Sequence, residues 1–198
     1  MMSKGTNGPW QVHTTQTCFE NPWVTVETSD VTHPDGSAGT YGVVRFAHIA
    51  TGVFPVDIDG HTWLVGQHRF PFNAYSWELP EGGGAKDVDP QTSAARELTE
   101  ETGLIAQNYL PLGRWQLSNS VTDEVAFGFL AWGLKEGDAS PDPSEALTVT
   151  KVPVRELVHR VRSGQISDAF TVLMVYSALD MAHSGQLPPH LSQLLLAG

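Results

Sequence analysis

The sequence predicts a mixed α/β domain, and three observations carry that prediction. Strand-type alternation fills much of the chain up to Phe70, one well-punctuated helix follows over about Pro90–Thr102, and helical spacing returns after Val154. The chain has 198 residues, 40% of them hydrophobic and 17% charged, which is the composition of a folded protein rather than a disordered one. That length buries one sizeable core, so one domain with extensions is the expectation.

Taken in order, residues 1–19 are polar and aperiodic and are expected to form a loose arm. Trp-Val-Thr-Val-Glu-Thr within 22–28 alternates as a strand does. Pro34-Asp35-Gly36 signals a turn, and 41–47 supplies the second arm of that hairpin. Strands over 49–57 and 61–70 flank Ile58-Asp59-Gly60 and read as a second hairpin. Asp89 suits a helix N-cap, Pro90 the first helical position, and Gly103 the left-handed residue that ends a helix. Further strands are expected over 110–117, 124–134 and 147–152, with a Pro- and Ser-containing loop over 135–146. Leu157, Val158 and Val161 recur at helical spacing before Gly164. Asp168 suits the cap of a longer helix carrying Phe170, Leu173, Tyr176 and Leu179, stopped by Gly185. The resulting organisation is an arm (1–19), an N-terminal β extension (20–48), a main domain (49–184) and a tail (185–198).

Charge and composition exclude several classes. No apolar run reaches the ~18–20 residues that span a membrane. Met1-Met2-Ser3-Lys4-Gly5 leads into no apolar stretch, so no secretion signal is expected. The single Cys18 rules out an internal disulfide and a cysteine-based zinc site, and the cytoplasm is the expected compartment. A net charge of −11 argues against a nucleic-acid surface, which needs a basic stripe. An anionic small-molecule substrate must therefore be attracted locally, by cations and a few arginines.

The chemistry concentrates in Arg96-Glu97-Leu98-Thr99-Glu100-Glu101-Thr102-Gly103-Leu104. Ala94, Ala95 and Leu98 make the apolar side of the helix. Glu97 precedes Glu100 and Glu101 by three and four residues, which places the carboxylates on one face about 5–6 Å apart. They also sit toward the negative end of the helix dipole, with no lysine near enough to offset them. Glutamate runs are ordinarily solvated faces. Here Glu78-Leu79-Pro80-Glu81-Gly82-Gly83-Gly84 precedes the helix, a Gly-rich turn whose N–H groups can approach a phosphate closely. Clustered acids behind such a turn point to a divalent cation serving a phosphate.

These residues resemble the Nudix hydrolases. That family's motif is Gly, five residues, Glu, seven residues, Arg-Glu, an aliphatic residue, any residue, Glu-Glu, any residue, Gly, an aliphatic residue. Gly82, Arg96-Glu97-Leu98, Glu100-Glu101 and Gly103-Leu104 match at the required spacing, and Val88 stands where the family has its first Glu. Asp87 and Asp89 flank that position, although Asp89 is better used as the cap. Gly66-Gln67-His68-Arg69, Trp77-Glu78-Leu79-Pro80 and Gly164-Gln165-Ile166-Ser167-Asp168-Ala169 extend the likeness to the ADP-ribose pyrophosphatase branch over roughly residues 20–180.

The resemblance implies an α/β/α sandwich with a mixed β-sheet, an N-terminal β-hairpin extension and a homodimer built on it. It implies hydrolysis of the diphosphate bond of a nucleoside diphosphate derivative, ADP-ribose or a nucleotide sugar first, then a GDP-sugar or dinucleotide. Mg²⁺, with Mn²⁺ as the substitute, would be held by Glu97, Glu100, Glu101 and the main chain at Gly82. Arg96 would orient a catalytic glutamate through its planar fork. The base is Glu145, from the loop before the last strand, or Glu97 on the helix. Arg69 is the candidate diphosphate partner and Glu78 the acceptor for base or ribose. Gly82 and Gly83 approach the phosphates, and Asp123 or Glu124 reaches metal or ribose unless that stretch is a plain turn. The rival from another class is a non-catalytic ligand-sensing module, which Val88 keeps open.

Overall fold

The structure is a computed structural model that describes residues 5–137, 139 and 146–197. The chain divides into two compact units, one running up to Ile49 together with Gln116–Val125, the other comprising Ala50–Trp115 and the chain from Ala126 onward.

The first unit is an antiparallel sheet in the order β1-β2-β3-β4, formed by Gly5–Asn7 (β1), Trp10–Glu20 (β2), Val24–Thr32 (β3) and Ala38–Phe46 (β4). The segment expected as a loose arm is therefore mostly strand. Its pairing is carried by polar cross-strand contacts, Thr14 Oγ1 to Asp30 Oδ2 at 2.6 Å and Thr15 to Ser29 at 2.8 Å, rather than by an apolar face. Register shifts between Val12 and Thr14 and between Thr17 and Phe19 also break the two-residue period, so alternation is absent from the sequence. Asn21 closes the β2–β3 turn by accepting the N–H groups of Trp23 and Val24 at 2.9 and 2.8 Å. The Pro34-Asp35-Gly36 turn is present, with Gly36 at φ +87°. Residues 118–123 fasten to β4, where the Tyr41 hydroxyl donates to Ser120 O at 2.6 Å.

The second unit holds His48–Pro55 (β5), His61–Arg69 (β6), Ala74–Glu78 (β7), Glu81–Ala85 (β8), Pro90–Thr102 (α1), Leu104–Gln116 (β9), Val125–Glu136 (β10), Thr148–Pro153 (β11), Val154–Arg162 (α2), Ala169–His183 (α3) and Pro189–Leu196 (α4). One sheet runs β8-β5-β10-β9 with β5 and β10 parallel; another runs β11-β6-β7 and is antiparallel. The strands expected over 49–57 and 61–70 thus share a turn but not a ladder. Asp57 holds that turn by accepting the N–H groups of Asp59 and His61 at 3.0 and 2.8 Å. Beyond it β6 turns away to pair β7 and β11, because both edges of β5 are taken by β8 and β10. The continuous apolar run Val53-Phe54-Pro55-Val56, buried throughout, is the mark of such a central strand.

Side-chain alternation on β5 and β10 defines a layered arrangement. Val53, Phe129 and Ala131 face Ala94 and Leu98 of α1, with Leu104 in the same cluster. On the opposite face a Cβ at Gly52 would lie 2.8 Å from Met174 and Phe170, and one at Gly128 would lie 2.7 Å from Met174. These glycines let α3 settle directly onto the sheet, so helices cover both sides. Residues 189–196, expected as tail, form α4, which buries Leu191 and Leu195 and packs on α2 and α3. Among the described residues no helix is long and apolar enough to cross a membrane.

Leu98 is fully buried between α1 and the sheet. Leu98→Ala should lower stability by about 2–5 kcal/mol, measured by urea unfolding followed through tryptophan fluorescence.

Candidate active site

Both ends of α1 are fixed by the residues the sequence singles out. Asp89 Oδ2 accepts the Thr92 N–H at 3.0 Å and its hydroxyl at 3.2 Å, and Gly103 closes the helix at φ +71°. Asp89 is thereby engaged as a cap. Val88 sits in the turn before it, 41% exposed, its N–H bonded to Ala85 O at 3.1 Å. The family's first acid is thus replaced by an exposed apolar side chain.

The segment expected as a Gly-rich turn is strand β8, anchored by the Val53 N–H to Pro80 O at 2.9 Å. None of Gly82, Gly83 and Gly84 has a positive φ, so backbone freedom does not explain them. Space explains Gly82. A Cβ there would lie 2.4 Å from the carboxyl carbon of Glu97 and within 2.6 Å of both its oxygens. The missing side chain lets the Glu97 carboxylate rest on the strand itself. One turn further along the helix, Glu101 Oε2 accepts the Glu81 N–H at 3.1 Å. Two of the three helical carboxylates therefore meet the backbone at residues 81 and 82, and the Gly82 carbonyl accepts the Thr51 hydroxyl at 3.4 Å.

The acids do not form one uniform face. Glu101 and Glu97 are mostly buried, and Glu100 is the most open of the three. Nor are they without a counter-charge, as the absence of lysine implied. Arg96 Nη2 donates to Glu97 Oε1 at 2.6 Å and to Gly83 O at 2.8 Å, and its Nη1 donates to Glu100 Oε2. An arginine one residue before Glu97 and four before Glu100 folds back along the helix and reaches both.

A second cluster lies where β6, β7 and β8 approach the start of α3. Arg69 forks onto Glu78, Nε to Oε1 at 2.9 Å and Nη2 to Oε2, and its Nη2 lies 3.6 Å from Glu81 Oε1. The expected diphosphate partner and the expected hydroxyl acceptor are thus one another's partner, and Glu78 is buried. The hydrogen bonds it donates to Glu78 raise the Arg69 guanidinium above its ordinary value. Asp168 caps α3 through the Thr171 N–H at 2.6 Å, as expected, and Thr171 Oγ1 accepts the Leu79 N–H at 2.9 Å.

Glu81 is the residue that sequence reasoning passed over. Its side chain is 14% exposed, and Oε2 is buried with no hydrogen-bond partner. Burial pushes its carboxyl well above the usual carboxylate range; the charges of Asp168 and Glu78 push the same way, and Arg69 opposes them. The available signal was an acid between Pro80 and Gly82, inside a segment bound for the interior.

The donors here are carboxylate and carbonyl oxygens, the set that suits a hard cation such as Mg²⁺. Oε2 of Glu81 is a buried, unpartnered oxygen of this kind, while the space at Gly82 is taken by the Glu97 carboxylate. Among the described residues no three acidic, histidine or cysteine side chains converge with ligand geometry; Arg96 engages Glu97 and Glu100. The remaining candidates are described each in its own unit. Glu124 belongs to the first unit, its N–H bonded to Thr122 Oγ1 at 3.4 Å. Asp123 accepts the Phe46 N–H at 2.8 Å within the same unit. Glu145 lies outside the described residues.

Two outcomes follow from this geometry. Asp89→Ala should cost about 1 kcal/mol in a urea titration, the value of a lost N-cap. Glu81 has a folded pKa raised above its ordinary 4.5, so in metal-free buffer its contribution to stability is intact below that pH and is lost as pH rises through the folded value. Glu81→Gln should remove that part of the decline, read as a melting temperature less dependent on pH than that of the unmodified protein.

Comparison with known proteins agrees with this architecture. Residues 47–170 match the NUDIX domain, and residues 10–44 match the nucleoside diphosphate sugar hydrolase N-terminal domain. The chain is 29% identical to the methanol dehydrogenase activator of Bacillus methanolicus, covering 81% of this chain and 88% of that protein. It is 33% identical to the ADP-ribose pyrophosphatase of Mycobacterium tuberculosis, covering 70% of this chain and 68% of that protein. A crystal structure of ADP compounds hydrolase shares the fold with a TM-score of 0.79 at 18% identity, over 89% of this chain and 96% of that one. The glycine strand, its acidic helix and the layers around them are those of a Nudix hydrolase, and the chain belongs to that family, on a branch similar to the ADP-ribose pyrophosphatases.

Proposed function

We propose that this protein hydrolyses the diphosphate bond of a nucleoside diphosphate joined to a second group, with ADP-ribose or a related nucleotide sugar as substrate. One observation carries the reading: the Glu97 and Glu101 carboxylates meet at the Glu81–Gly82 backbone, at the edge of a glycine strand. Support comes also from the match of residues 10–44 and from the name of the M. tuberculosis relative.

Glu97, Glu100 and Glu101, with the Gly82 carbonyl, would hold Mg²⁺, or Mn²⁺ in its place. When bound, such an ion neutralises phosphate charge and lowers the pKa of a coordinated water. The protein's own groups do the rest. Arg96 ties Glu97 to the Gly83 carbonyl and so fixes the acid against the strand. The glycines keep Cβ atoms out of the path of a phosphate. Arg69, already oriented by Glu78, presents the remaining edge of its guanidinium to the diphosphate. The base is Glu145 or Glu97. The strand extension would build a homodimer, and the protein would work in the cytoplasm.

A panel of nucleoside diphosphate derivatives with Mg²⁺ tests this, with products identified by chromatography. AMP and ribose 5-phosphate from ADP-ribose are the expected products. Cleavage of a GDP-sugar or a dinucleotide alone would move the substrate class. No cleavage, with ADP-ribose still raising the melting temperature, would leave a binding module. Glu101→Gln keeps an acceptor for the Glu81 N–H, so the fold should persist while turnover falls by orders of magnitude; unchanged turnover would sink the metal assignment. Val88→Glu restores the family's acid, and a gain in rate is the expected result.

A further inference from the structure

The chain passes from β7 to β8, and so from one sheet to another, within Glu78-Leu79-Pro80-Glu81. Glu78 is the last rung of the β6–β7 ladder, opposite Val65, and Glu81 begins β8. Between them Pro80 has no N–H, so the two linking residues hold a single backbone donor, on the fully buried Leu79. Its partner comes from far along the chain, Thr171 Oγ1 at 2.9 Å. Thr171 is fully buried in the first turn of α3, where the Asp168 cap takes its N–H at 2.6 Å. A β-branched side chain on a fixed helical turn has few rotamers, so its hydroxyl stays aimed at the crossing. Glu78 needs such support. Its carboxylate receives both donors of the Arg69 fork, yet the ladder that holds its backbone stops there, and strand ends fray unless tied.

We infer that Thr171 is a positioning residue: by fixing Leu79 it holds Glu78 in place, and through Glu78 it orients Arg69 for the substrate diphosphate. This rests on the role proposed above for Arg69. The start of α3 thereby acts on Arg69 twice, since the charge of Asp168 on the same turn also favours the protonated guanidinium.

The test reads Arg69 directly, through its Nε–H signal in proton–nitrogen NMR spectra of the full chain. The Arg160 Nε–H, bonded to Glu156 at 2.9 Å, is the internal control. Thr171→Val, close in shape and without the hydroxyl, should shift or broaden the Arg69 signal and leave that of Arg160 in place. It should also raise KM for ADP-ribose with Mg²⁺ about tenfold while kcat stays within about threefold, the mark of lost binding rather than lost chemistry. Thr171→Ser should keep both readouts at wild-type values. Thr171→Cys, a weaker acceptor, should behave as the valine variant does and serves if that one does not fold. A wild-type Arg69 signal and KM in a folded variant without the hydroxyl would overturn the positioning role and leave Arg69 its place at the diphosphate. An Arg69 signal that does not respond to ADP-ribose and Mg²⁺ in the unmodified protein would overturn both.

Discussion

Helix α1 is seated on strand β8 through three successive contacts. Glu101 takes the N–H of Glu81, Glu97 lies on the Cα of Gly82, and Arg96 takes the carbonyl of Gly83. Three helix side chains thus read three consecutive residues of the strand's backbone. Backbone groups on a sheet edge would otherwise need water or another strand. Here they are satisfied by charged side chains, and charge-assisted bonds of this kind are stronger than neutral ones. The condition for the arrangement is steric: a methyl group at position 82 would displace Glu97.

Helix α1 has little choice about where it lies. Ala94 and Leu98 are drawn onto Val53, Phe129 and Ala131, and Leu104 joins that cluster just beyond the Gly103 stop. Burial of this apolar face is worth several kcal/mol, more than any single exposed ion pair contributes. Packing therefore fixes the helix, and the acids accept whatever positions result. This explains their unequal burial, with Glu101 carried furthest inward and Glu100 left outermost.

How much of this was legible in sequence depended on whether the cause was local. The limits of α1 are set by Asp89, Pro90 and Gly103, each acting on its own turn, and all three could be read directly. Strand β5 was readable as a strand, but not its neighbours, because competition between β6, β8 and β10 for its edges is decided at long range. β2 was hidden by threonine and serine pairs and by two bulges that erase alternation. The glycines of β8 looked like a turn because composition does not separate freedom from space. Arg69 and Glu78 were each visible as functional candidates, yet nothing in the sequence shows their ion pair, which spans the β6–β7 ladder from Arg69 opposite Ala74 to Glu78 opposite Val65. Glu81 was missed because its meaning lies wholly in what surrounds it.

The balance of charge in the second unit bears on how an anion can enter. Glu78, Glu81, Glu97, Glu100, Glu101 and Asp168 are met by the fixed cations Arg69 and Arg96, and both arginines are already bonded to acids. Two like charges about 4 Å apart repel by about 4 kcal/mol at an effective dielectric of 20, so a diphosphate brought to these carboxylates unaided would be expelled. The net charge of −11 removes any help from the wider field. A site this acidic binds a phosphate only after cations have reversed its sign. On the proposed reading, the acids that make substrate binding impossible without metal are the ones that gather the metal, so cation and substrate must bind with positive coupling. Because such coupling is reciprocal, substrate should tighten cation binding by the factor that cation tightens substrate binding.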